Sequence, residues 1–87
     1  MKIKKGFVVR EVGGENIAVP IGETAKEFRG MIKLNETALF LWNLFKTDTT
    51  FEEAVNALTS EYDVGIEEAE EGVKAFMATA SENGFFE

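Results

Sequence analysis

The sequence predicts an α+β domain in which a three-stranded antiparallel sheet precedes three helices, in the order β-β-β-α-α-α. Three observations carry this. Two β-branched runs, Phe7–Val12 (FVVREV) and Asn16–Pro20 (NIAVP), flank a pair of glycines. A short extended run, Met31–Leu34, follows a polar connection. From Asn35 onward, apolar residues recur at helical spacing in three stretches, divided near Thr47–Thr50 and Asp63–Gly65. With 87 residues, the chain is expected to be one domain over 1–87.

The first two runs read as a hairpin, because glycine supplies the positive φ of a tight turn. Whether the loop is Gly13-Gly14 or Gly14-Glu15, the pairing puts Val8, Arg10, Val12, Ile17 and Val19 on one face. Phe7, Val9 and Ala18 share the other. Pro20 ends the second strand, since it has no N–H for a ladder. Residues 21–30 (IGETAKEFRG) read as a loop bracketed by glycines, and Met31–Leu34 as a short third strand.

Asn35 is a good N-cap, with Glu36 at the positive end of the helix dipole. Leu34 and Leu39 have the spacing of a hydrophobic staple. From Ala38 to Phe45 only Asn43 is polar, so the apolar arc covers more than half the wheel. Such a helix is packed on several sides and forms the centre of the fold. In the next stretch Thr49/Glu52 and Thr50/Glu53 each have capping-box spacing. The second helix then turns Phe51, Ala54, Val55, Leu58 and Tyr62 inward. The third helix, Ile66–Glu82, has the stripe Ile66, Ala69, Val73, Phe76, Met77 and Ala80. Asn83-Gly84 stops it, and Phe85-Phe86 folds back on the core.

Composition narrows the function. There is no Cys, hence no disulfide or thiolate site, and no His, the commonest general base. Ser60 and Ser81 lie on helices without a motif around them, and Gly13-Gly14 sits in a hairpin rather than between strand and helix. The chain therefore reads as a non-enzyme without a cofactor or metal. The run IEEAEE lacks calcium-loop spacing and reads as a solvated helix face. No apolar run approaches the ~20 residues of a membrane span, and no signal-peptide core follows MKIKKGF, so a cytoplasmic protein with no membrane partner is expected. The net charge is −7. Residues 1–34 contribute seven bases and four acids (+3), and residues 35–87 two bases and twelve acids (−10).

Three strands and three helices have the shape of a winged helix-turn-helix domain. DNA binding by that shape requires a basic recognition helix. Lys74 is the sole base between Thr50 and Glu82, where acids dominate, so no nucleic-acid partner is expected. The edge of the third strand is then the candidate site. A short terminal strand accepts an extended peptide by strand addition. The third helix would form the other wall, its apolar arc flanked by Gly72, Thr79 and Asn83. Arg29 and Lys33 lie where they would meet acidic residues of a peptide.

From about Phe7 to the C-terminus the chain resembles the PqqD family of pyrroloquinoline quinone synthesis and its relatives. The resemblance is carried by REVGGENIAVP, GMIKLNETALFLWNLF, TTFEEAVNALTSEYDV, IEEAEEGVKAFM and the terminal NGFF. It implies a recognition element for ribosomally made, post-translationally modified peptides. Such domains bind the leader of a precursor peptide and present it to a modifying enzyme, commonly a radical S-adenosylmethionine enzyme. In the family the leader adds to the third strand against the third helix. Carried over, this designates Met31, Ile32, Lys33 and Leu34, with Val73, Phe76, Met77 and Ala80 opposite. Two positions depart from the family pattern. Lys46-Thr47 stands where Asp-Gly is common, and Gly72 where Asp is common; both leave the kind of peptide partner open, and synthesis of pyrroloquinoline quinone itself is not implied. Two rival expectations are a docking module of a larger enzyme complex that binds no leader, and a homodimer formed through the same strand edge.

Overall fold

The structure, a computed structural model, describes residues 1–28 and 30–87. Strands β1 (Phe7–Val12), β2 (Glu15–Pro20) and β3 (Ile32–Leu34) form an antiparallel sheet in the order β1-β2-β3. Helix α1 (Thr24–Glu27) precedes β3; α2 (Glu36–Leu44), α3 (Phe51–Glu61) and α4 (Ile66–Glu82) follow it. The α+β class and the sheet-then-helices arrangement are those read from the sequence. The stretch 21–30, read as a loop, contains the single turn α1, and β3 begins one residue later than expected.

The register resolves the hairpin. Val12 pairs with Glu15, so Gly13 and Gly14 are the two loop residues. Their φ values of +60° and +82° are those of a type I′ turn, whose twist matches that of the strands. Val8 pairs with Val19, Arg10 with Ile17, and Ile17 with Lys33 on the outer face. Phe7, Val9, Ala18, Ile32 and Leu34 pack inward on the core.

Helix α2 is the hub. Leu41, Trp42 and Phe45 are buried. Trp42 meets Phe7 and Phe85 edge-on from the sheet side, Phe45 stacks on Phe76 of α4 at 5.6 Å, and Phe40 meets Tyr62 at the end of α3. Asn35 caps α2, its Oδ1 accepting from Ala38 N–H at 2.8 Å. Of the two possible boxes at α3 the structure forms the second. Thr50 Oγ1 accepts from Glu53 N–H at 3.1 Å, and Glu53 Oε1 accepts from Thr50 N–H at 2.9 Å. Thr50→Ala is therefore expected to lower stability by about 1 kcal/mol, which chemical denaturation would measure.

Helix α4 ends in a Schellman motif. Phe85 N–H donates to Ala80 C=O at 2.8 Å and Gly84 N–H to Ser81 C=O at 3.1 Å, with Gly84 at φ +71°. This turn aims Phe85 into the aromatic cluster of Phe7, Phe28 and Trp42. The expected stripe of α4 needs one correction. Ile66 is 62% exposed, because it is the first residue of the helix and burial begins at Ala69. The N-terminal segment joins the core: Ile3 is buried and bridges to Phe86.

Candidate functional site

Among the described residues strand β3 pairs with β2 alone, and its other side has no strand. Its three residues make no backbone hydrogen bond outside that ladder among the described residues, and neither does Met31. Beside this edge runs a groove of about 320 Å³. One wall is Ile32, Lys33 and Leu34. The floor is Ala38, Leu41 and Trp42 of α2, together with Phe85. The opposite wall is Gly72, Ala75, Phe76, Thr79 and Ala80 of α4. A smaller concavity of about 110 Å³ continues from it, lined by Gly30, Met31, Pro20 and Phe28 and sharing Ile32 and Phe85 with the main groove.

Local rules explain how each element arrives there. Asn35 directly follows the last residue of β3 and caps α2, so the edge strand runs straight into the helix that floors the groove. Short length and the charged Lys33 keep this edge from pairing indiscriminately. Lys33 Nζ lies 3.3 Å from Glu15 Oε2 across the sheet, in an ion pair open to solvent on both sides and worth little in stability.

The residues expected from the sequence divide into three groups. Ile32, Lys33, Leu34, Phe76 and Ala80 line the main groove, and Met31, 71% exposed, lies at its continuation. Val73 and Met77 do not line it: Val73 is wholly buried, and Met77 packs half-buried against the core. Arg29 lies outside the described residues. The helical period explains the division. With Phe76 as reference, Gly72 and Thr79 lie about 40° and 60° to one side, whereas Met77 lies about 100° to the other. The groove is thus rotated from the apolar stripe of α4 toward its small residues, and Gly72 and Thr79 stand in its wall. Thr37, Ala38, Leu41, Trp42, Ala75 and Phe85 also line it, none of them marked by its type or spacing in the sequence.

Gly72 leaves this wall low. A Cβ there would meet only Leu58 Cδ2, at 3.8 Å, an ordinary contact. Gly72→Ala is expected to raise stability by up to about 1 kcal/mol, measurable as a higher denaturation midpoint, since glycine is the poorest interior helix residue after proline.

The family described as coenzyme PQQ synthesis protein D (PqqD) matches residues 21–85, which is 65 of the 87 residues and spans β3 and all four helices. The chain belongs to the PqqD family. Comparison with curated proteins finds no match. Among solved structures, this PqqD-family chain is similar to TbiB1, determined in complex with the TbiA(beta) leader peptide. The TM-score is 0.74 at 21% identity, over 100% of this chain and 95% of that one. At that identity the likeness shows the fold, which the PqqD-family chain shares along its whole length. Among the described residues no group of three or more His, Cys, Asp or Glu side chains is placed to hold a metal ion. No helix there is long and apolar enough to cross a membrane.

Proposed function

We propose that this chain is a non-catalytic adaptor that binds the leader of a ribosomally synthesised precursor peptide as a fourth strand on β3 and presents it to a modifying enzyme. The observation that carries the reading is the unpaired edge of β3 facing an apolar groove closed on its far side by α4. Membership of the PqqD family and the likeness to TbiB1, itself bound to a leader peptide, support it. Strand addition supplies affinity through backbone hydrogen bonds. Selectivity comes from every second guest side chain, which enters the groove. Its size suits one or two apolar side chains over Leu41, Trp42 and Phe85. Lys33 on the edge favours an acidic residue beside them. The enzyme served is of the radical S-adenosylmethionine class or another peptide-modifying class.

The test is titration of the isotopically labelled protein with each short peptide found encoded beside it. Chemical-shift changes are expected at residues 31–34 and at Gly72, Phe76, Thr79 and Ala80. No binding at high micromolar peptide would overturn the proposal. Capture of a modifying enzyme by a protein that binds no peptide would replace it with a docking role.

A further inference from the structure

The lysines at the start of the chain build a second concavity. Lys2, Lys4, Lys5 and Lys46 surround a space of about 330 Å³ whose inner wall includes Phe7 and Trp42. Three come from the first five residues and the fourth from the turn after α2. Their backbone is anchored. Ile3 N–H donates to Phe45 C=O at 2.8 Å and Lys4 N–H to Phe85 C=O at 2.7 Å. Glu87 N–H donates to Lys2 C=O at 2.8 Å and Thr49 N–H to Met1 C=O at 2.9 Å. The lysines are therefore displayed from a fixed strap.

Their charge is left uncompensated within the molecule. None of the four ammonium groups has an ion-pair partner among the described residues. Lys4 Nζ lies over the Phe28 ring, 5.5 Å from its centroid. The nearby Asp48 carboxylate is taken by the Met1 ammonium at 2.7 Å. That hydrogen bond, with the ammonium's charge, holds the Asp48 carboxyl below its ordinary value, and Lys2 adds a smaller pull. The remaining acids gather elsewhere: residues 51–73 carry eight carboxylates and no base. In a chain of net charge −7, four cations around one concavity repel one another, and an anionic visitor relieves that repulsion.

We propose that this lysine concavity is a second binding surface, for a carboxylate-rich segment of a protein partner, occupied independently of the β3 groove. A short Asp/Glu segment brings a few charges to four lysines, whereas a long polyphosphate would also meet the acidic remainder of the molecule. Trp42 is the one residue that lines both concavities, and every other lining residue differs between them. A partner held at the lysines leaves the β3 edge free. This surface goes beyond the leader-binding reading and does not depend on it.

The test uses the full chain, isotopically labelled, at about 20 mM salt to limit screening. The probe is a decaglutamate peptide; an alternating Glu/Lys decapeptide, inorganic phosphate and a single-stranded DNA decamer serve as comparisons. Decaglutamate is expected to shift resonances of residues 2–6 and 46–47. Binding should weaken about fivefold or more on raising salt to roughly 150 mM. It should fall about tenfold in the Lys4→Glu/Lys46→Glu double variant, and less in Lys5→Gln, with thermal melts showing both folded. Absence of shifts at these residues would overturn the proposal. So would DNA or phosphate binding there as tightly as decaglutamate, which would make the surface a phosphate site. Failure of leader binding at β3 leaves this titration unaffected, so the two readings fail separately.

Discussion

Thr79→Trp is expected to weaken leader binding at least tenfold, while leaving the melting temperature within a few degrees of the parent. Thr79 is exposed and stands in the α4 wall of the groove, and its hydroxyl makes no hydrogen bond among the described residues. Its backbone carbonyl, which accepts from Asn83, survives the substitution. An indole at this position occupies the space that guest side chains would enter. A loss of one or two apolar anchors at roughly 1.5–3 kcal/mol each is a factor of ten or more in affinity. Fold stability has little reason to change, because surface substitutions away from caps and buried networks usually stay within about 0.5 kcal/mol. Calorimetric titration and thermal melts together check both halves. Unchanged affinity in a folded variant would place the guest elsewhere.

Phe45→Ala is expected to do the opposite: destroy the fold rather than the groove alone. Phe45 has no exposed surface, stacks on Phe76, meets Phe86, and its carbonyl holds Ile3 of the N-terminal strap. Removing a fully buried phenyl typically costs about 3–5 kcal/mol, counting the cavity left behind. Small domains have about 5–15 kcal/mol in total. The variant should therefore unfold at a much lower urea concentration, or be unfolded at 37 °C. A loss below about 1 kcal/mol would contradict the central position assigned to α2.

What was legible in the sequence follows from how local each feature is. The glycines at 13 and 14, Asn35, the two Thr/Glu pairs and Asn83-Gly84 act through bonds spanning a few residues, so their types and spacings announce hairpin, caps and stop. The loop register and the choice of Thr50/Glu53 over Thr49/Glu52 are decided by the fold. That Phe7, Val9 and Ala18 share a face follows from strand alternation alone, but which face meets the core does not, because both carry apolar residues. The groove is a tertiary object, and only part of it was legible. Ile32, Lys33 and Leu34 were placed by the strand order, but the α4 wall depends on the rotation of that helix about its axis. The family resemblance pointed to Val73 and Met77, which the core claims. The groove lies on the side of the small residues, where Gly72 and Thr79 were the visible hints. The floor residues Leu41 and Trp42 carry the same apolar signature as the rest of α2, and nothing local distinguishes them. Ile3 was hidden among lysines, its burial decided by the distant Phe45 and Phe86. Helix α1 has four residues and no periodicity to read.

Hydrogen-bonding capacity along β3 is open in the free protein among the described residues, and in the proposed complex a guest strand satisfies it. Amide hydrogen exchange at Ile32, Lys33 and Leu34, followed by NMR with and without the precursor peptide, tests it most directly. At least one of these amides is expected to exchange rapidly in the free protein and to become protected when peptide binds. A contradiction would be all three amides already protected without peptide, or peptide binding that leaves their exchange unchanged.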